Sequence, residues 1–166
     1  MQLIDVVNDN NEVVGKVTED ELYKMKLAHR IVHVLVFNNQ DKMVLQLRSK
    51  TKSFCPGYWS TTVGGRVQSS ESYEEAAIRE MQEEIGIILN LEKIADEIYT
   101  YDGLKMFQRI YKAKFDGKLS TNDPDIERFE YKSLDEIQKM IVKDEKFHPE
   151  FVVILNKYYN IRLITK

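Results

Sequence analysis

The chain has 166 residues and a formal net charge of −3 with both signs intermixed. That is one domain's worth of chain with room for a real core, and it lacks the basic footprint of a protein that binds nucleic-acid polymers, though a nucleotide substrate stays open. A lone cysteine, Cys55, excludes an internal disulfide framework and points to a reducing cytoplasmic home; the polar start Met1–Asn10 does not read as a signal peptide, and no apolar run reaches the length of a membrane span.

In chain order, Leu3–Val7 and Val13–Val17 are β-branched runs flanking the turn residues Asn8–Asn11, which predicts a hairpin. Thr18 is placed to cap a short helix over Glu19–Ala28, with Leu22, Met25 and Leu27 as its inward residues. Residues 1–28 form this N-terminal unit. Ile31–Phe37 is a nearly unbroken apolar run, the signature of a buried strand. Met43–Leu47 is expected to pair back on it after the turn at Asn38–Asp41. Arg48, Lys50 and Lys52 then precede a Pro56-Gly57 turn, with Tyr58 and Trp59 beyond it. Trp59 is read either as core or as a wall against a substrate's organic group. Ser60–Val63 reads as a strand leading to Gly64-Gly65.

Ser72 followed by Glu75 is a capping box that opens a helix, and Gly86 closes it. Ala77, Met81 and Ile85 recur at four-residue steps and form an apolar stripe. Glu80, Glu83 and Glu84 share another face, where like charges repel by about 0.2–0.5 kcal/mol per pair. Three close carboxylates imply a compensating cation, and hard ions such as Mg²⁺ take oxygen ligands of this kind. The Gly64-Gly65 pair lets backbone approach such an ion or its ligand closely. Downstream, Ile87–Leu91 and Glu97–Tyr101 read as strands or strand edges, and Lys105–Phe115 and Arg128–Lys132 as strands. Ser133 with Glu136 opens another helix, through about Val142, and Pro149 opens the last. The helices of residues 133–160 and the strands between make an α/β chain (α+β) with a central mixed sheet.

Gly65–Ile87 resembles the Nudix box, G-x5-E-x7-R-E-U-x-E-E-x-G-U, where U is a bulky aliphatic residue. Gly65, Glu71, Arg79, Glu80, Met81, Glu83, Glu84, Gly86 and Ile87 fill every specified position. The resemblance implies one Nudix domain over residues 1–166, an α/β/α sandwich with the box over residues 64–87. It also implies hydrolysis of an organic diphosphate, such as a nucleoside diphosphate linked to another group, by water activated on Mg²⁺, with Mn²⁺ as a substitute. On this reading Glu83 and Glu84 are metal ligands, with the Gly64 carbonyl as a third. Glu80 is a further ligand or the general base, a role also open to Asp125, Glu127 or Glu130. Arg79 orients the carboxylates and Glu71 is its supporting partner. Homodimers are common in the family.

The segment Ala28–Gly65 is similar to isopentenyl-diphosphate isomerases and the hydrolases related to them. Arg48 and Lys52 match basic residues that hold the diphosphate there, so both are candidate phosphate clamps, with Gly65 beside them. The isomerase cysteine, however, falls at Gly64 and a metal-binding histidine at Arg66. His29 matches another such histidine, but Lys105–Tyr111 lacks the isomerase glutamates. A complete hydrolytic box favours hydrolysis; the alternatives are an isomerase-like enzyme and a non-catalytic nucleotide sensor.

Overall fold

The computed structural model describes residues 2–162; Met1 and residues 163–166, which the expected domain includes, lie outside the described residues. β1 (Leu3–Val7) and β2 (Val13–Thr18) pair antiparallel as a separate hairpin. α1 (Glu19–Lys24) follows, with a reciprocal capping box between Thr18 and Glu21. It is shorter than the expected Glu19–Ala28, because Met25 caps it and Lys26 takes a left-handed φ of 51°. Met25, expected inward, is 62% exposed.

The main sheet is built on β3 (His29–Phe37), which pairs in parallel with β8 (Leu104–Lys114) along its whole length. β4 (Met43–Arg48), β5 (Trp59–Ser60), β6 (Val63–Arg66), β7 (Glu92–Tyr101) and β9 (Ile126–Lys132) complete it, all paired antiparallel. Ile87–Leu91, expected as a strand, is irregular. Its side chains Ile87, Leu89 and Leu91 pack on the cluster beneath the box helix, so their alternation reflects docking on a helix and not a ladder.

From Ile31 on, β3 is apolar apart from His33 because both of its faces are covered. Val32, Val34 and Val36 pack beneath α2 (Tyr73–Ile85), together with Ala77 and Met81. Leu35 and Phe37 pack on the other face against α3 (Leu134–Val142) and α4 (Pro149–Tyr159), with Ile137, Phe151 and Leu155. The result is an α/β/α sandwich around a mixed sheet.

The sheet is split. β3 meets β4 only at Phe37↔Met43, while β6 occupies the same edge of β3 nearer its start. Thr62 fastens the split: its Oγ1 accepts from the Val36 N–H at 3.0 Å and donates to the Val44 carbonyl at 2.6 Å. Directly after this fastening come Gly64 and Gly65.

Candidate active site

α2 is fixed at both ends by local chemistry. Ser72 and Glu75 exchange backbone-to-side-chain bonds at 3.2 and 2.8 Å, and Gly86 closes the helix at φ 70°. Ala77, Met81 and Ile85 are buried, which aims the glutamates at Gly64-Gly65.

Arg79 is the hub. Its Nε and Nη2 donate to the two Glu71 oxygens at 2.7 and 3.0 Å, a bidentate pair. Nη1 donates to Glu80 at 2.7 Å and Glu83 at 3.2 Å, and Nη2 also reaches the Arg66 carbonyl at 2.9 Å. Burial disfavours the guanidinium charge, but Glu71 and Glu80 outweigh it and raise its pKa. Burial likewise pushes the Glu71 carboxyl up, yet the Arg79 bonds and the Gln68 N–H bring it below the usual carboxylate range.

Glu80 and Glu84 go the other way. Burial raises the Glu80 pKa in spite of Arg79. Glu84 is pushed well above the ordinary value by burial first, then by the charges of Glu80 and Asp123. Its compensation is neutral: the Gln46 amide donates at 2.8 Å and the Gly64 N–H also donates.

Strand register explains that last bond. Val67 N–H donates to the Arg30 carbonyl at 3.0 Å. Hydrogen-bonded and non-bonded pairs alternate along an antiparallel ladder, so His33↔Gly64 is a non-bonded pair. The Gly64 N–H and carbonyl therefore both look out of the open edge of β6, beside Glu84. Gly65 leaves the space that Glu80 occupies, since a Cβ there would lie within 2.6 Å of the Glu80 carboxyl carbon and both oxygens.

Among the described residues, no three His, Cys, Asp or Glu side chains converge tightly enough to enclose a metal ion. The reason is visible: Arg79 lies between Glu71, Glu80 and Glu83. The donor set still fits a hard dication. It offers carboxylates and an outward carbonyl, and Glu80, Glu84 and Asp123 crowd negative charge that neutral donors do not offset.

The remaining expected site residues lie elsewhere. The Arg48 guanidinium donates to the Cys55 and Phe54 carbonyls at 3.2 and 2.9 Å, tying down the 49–58 loop. Lys52 pairs with Asp125 at 2.6 Å. Trp59 is buried in the core beneath α4, its indole N–H donating to Glu145 at 3.0 Å. Glu127 and Glu130 both pair with Arg128, and Glu130 also with Lys132. Gln46 and Asp123 were not anticipated. Gln46 carried a readable signal, being the one polar side chain within M-V-L-Q-L; Asp123 sits in a polar loop and carried none.

A glycine pair at the open edge of a split mixed sheet, facing an arginine-bound set of helix carboxylates, defines a loop-helix-loop carboxylate site on an α/β/α sandwich. Residues 27–152 match the NUDIX domain, and the chain belongs to that family. It is 38% identical over 84 residues to the uncharacterized Nudix hydrolase YfcD of Escherichia coli K12, covering 51% of this chain and 47% of that one. To the uncharacterized Nudix hydrolase lmo0368 of Listeria monocytogenes it is 36% identical over 93 residues, 55% of this chain and 54% of the relative. The chain thus spans about half the length of the curated relatives it matches. Among solved structures, DR0079 of Deinococcus radiodurans superposes with a TM-score of 0.83 at 26% identity, over 95% of this chain and 99% of that one. The NUDIX domain of Shewanella oneidensis NrtR, complexed with ADP ribose, shares the fold with a TM-score of 0.63 at 16% identity, over 87% and 98%. No described helix is long and apolar enough to cross a membrane.

Proposed function

We propose that this chain is a Mg²⁺-dependent pyrophosphohydrolase acting on a small organic diphosphate. The observation that carries the reading is Glu84, a carboxylate beside Glu80 and Asp123 whose nearest donors are the neutral Gln46 amide and the Gly64 N–H. Such a site gains from a dication.

Glu83, Glu84 and the Gly64 carbonyl would hold Mg²⁺, or Mn²⁺ in its place. Bound there, the ion would acidify water and neutralise charge on the phosphoryl oxygens. The chain's own residues do the rest. Glu80, whose raised pKa brings it nearer the operating pH, takes the proton from the attacking water as general base. Arg79 holds Glu80 and Glu83 in register, and Glu71 holds Arg79. Arg48 positions the 49–58 loop through its carbonyls, and Lys52 at its rim, paired with an exposed Asp125, is the cation placed to exchange partners for a phosphate. One catalytic unit over residues 1–166, working in the cytoplasm, is part of the same reading.

The test is phosphate release, after a coupling phosphatase, over nucleoside di- and triphosphates, nucleotide sugars and isopentenyl diphosphate. Turnover is expected with Mg²⁺ or Mn²⁺, abolished by EDTA and by Glu83→Ala. Hydrolysis that survives EDTA would overturn the metal assignment.

A further inference from the structure

The Val63–Gly64 peptide has little of its own to hold it. Glycine has no side chain to pack and the widest backbone freedom. Among the described residues, β6 pairs only with β3, so its other edge is open at Gly64. Yet this peptide carries the Gly64 N–H that donates to Glu84, and it leads directly into the Gly64 carbonyl.

A row of hydrogen bonds reaches that peptide from the other face of the sheet. Glu150, in the first turn of α4, lies 3.0 Å from His33 Nε2. His33 Nδ1 lies 3.1 Å from Thr61 Oγ1, and that hydroxyl donates to the Val63 carbonyl at 3.2 Å. The trans peptide then carries the row across the strand, because the Val63 carbonyl and the Gly64 N–H are its two ends. Glu84 of α2 accepts on the far side. The row thus crosses the sheet from α4 to α2, from one carboxylate to another.

Each bond in the row has a fixed direction. A carbonyl and a carboxylate only accept, and a hydroxyl has one hydrogen. Thr61 gives its hydrogen to Val63, so His33 donates at both nitrogens, to Thr61 and to Glu150. Burial raises the Glu150 pKa, and the bond to His33 and its charge more than offset the rise. Only 7% of the His33 side chain and 12% of that of Glu150 are exposed. A buried pair of this kind contributes little net stability over apolar side chains of the same volume. What it supplies here is direction.

The far end of the row is anchored. His148 N–H donates to the Trp59 carbonyl and Trp59 N–H to the Lys146 carbonyl, both at 2.8 Å. The start of α4 is thereby fastened to β5, two residues before Thr61. Gly64 closes against the row: a Cβ there would stand 3.2 Å from both His33 Nδ1 and Thr61 Oγ1, so the ring and the hydroxyl pack directly behind it.

We propose that Glu150, His33 and Thr61 are positioning residues of the carboxylate site. Through the Val63–Gly64 peptide they fix the N–H that holds Glu84 and the carbonyl that faces outward beside it. This rests on the reading of Glu84 and the Gly64 carbonyl as metal ligands, and it extends the site through the sheet to α4.

The test reads the metal site without turnover. Mn²⁺ is titrated into the whole chain under electron paramagnetic resonance, and hydrogen exchange of the Gly64 amide is followed by NMR in the metal-free chain. Thr61→Val keeps the shape and removes the hydroxyl. It is expected to weaken Mn²⁺ binding about tenfold, the low end for partners that orient metal ligands, and to speed exchange at Gly64. Glu150→Leu breaks the row at its other end and is expected to move both readouts in the same direction; should either variant fail to fold, the other decides. Thr61→Ser keeps the hydroxyl, and Glu150→Gln keeps the row by donating its amide to a neutral His33 ring, so both are expected to bind Mn²⁺ like the wild type. A merely structural role would lower the melting temperature of the first two variants and leave Mn²⁺ affinity and Gly64 exchange unmoved. That result, or equal losses in all four variants, would overturn the proposal. The two readings fail separately. A wild type that binds no Mn²⁺ sinks the metal reading, while Gly64 exchange still decides whether the row holds the peptide. Wild-type Mn²⁺ affinity in Thr61→Val and Glu150→Leu sinks the row and spares the metal.

Discussion

Gly65→Ala tests the active-site geometry most directly. The added Cβ would stand within 2.6 Å of three Glu80 carboxyl atoms, while ordinary contact begins at 3.4 Å. The nearest carboxylate oxygen must therefore retreat by more than an ångström, out of a bond to Arg79 that is 2.7 Å long. A hydrogen bond to a charged group contributes about 1.5–3 kcal/mol. Glu80 keeps only 13% of its side chain exposed, so most of that loss is felt, and at about 2–4 °C per kcal/mol for a chain of this size the melting temperature falls measurably without unfolding at 25 °C. A misplacement of about 1 Å in a catalytic group can cost about a hundredfold in rate. The assay is kcat on the best substrate of the panel, with Mn²⁺ binding followed by electron paramagnetic resonance on the same samples. Gly64→Ala is the contrast in direction, since its Cβ would point to the other face, 3.2 Å from His33 and Thr61, and not at Glu80. If Gly65→Ala kept wild-type kcat and Mn²⁺ affinity, Glu80 would have no role in the chemistry.

Other perturbations separate charge from shape. Glu84→Gln removes a carboxylate whose pKa burial holds high, so the EDTA-treated protein should melt no lower than wild type at pH 8 while turnover falls by about a hundredfold or more; a large drop in melting temperature would refute this. Arg79→Lys cannot keep the two-oxygen pairing with Glu71 and is expected to cost about 1–3 kcal/mol, measured by urea unfolding, with Mn²⁺ affinity weakened in parallel. Acidification should destabilise the fold through His148. Its pKa falls from 6.5 unfolded to about 4 folded, through burial. The unfolded state therefore takes up the proton first, and stability drops as pH falls from 6.5 towards 4, by about 3 kcal/mol in all at 1.36 kcal/mol per unit. Glu150, whose pKa His33 and its neighbours lower against the burial penalty, adds loss of the same sign below 4.5. His148→Phe should flatten the slope above pH 4.5; an unchanged slope would remove His148 as its source.

What the sequence made legible was local. The capping boxes at Ser72/Glu75 and Ser133/Glu136 formed because both partners lie within one turn of chain, and Gly86 closed α2 because only the backbone is involved. Local logic failed where tertiary packing decides. Ile87–Leu91 alternates like a strand but docks on the cluster beneath α2. The early half of β7 escaped notice because Glu92, Lys93 and Asp96 look like loop, yet an edge strand tolerates charge on its open side. In the site, the Glu71–Arg79 pair was readable from the family pattern. Gln46 stood out as a polar residue in an apolar strand, but its bond to Glu84, like the nearness of Asp123, joins elements distant in sequence and was not readable. The His33–Glu150 link spans 117 positions, and nothing local announces it.

Arg79 resolves an electrostatic difficulty of the box. Glu80, Glu83 and Glu84 sit at repelling helical spacings, and a helix carrying them needs a cation even before substrate arrives. The guanidinium supplies one charge to Glu71, Glu80 and Glu83 at once, which only a planar fork with several donors can do. Glu84 receives none of it and meets only neutral donors. The cluster is thus held in shape yet left short of positive charge, at the carboxylate nearest the outward edge of Gly64. A fully compensated cluster would hold its shape equally well but would gain nothing from a dication. The imbalance at Glu84 is therefore what would couple the fold of the box to a dication.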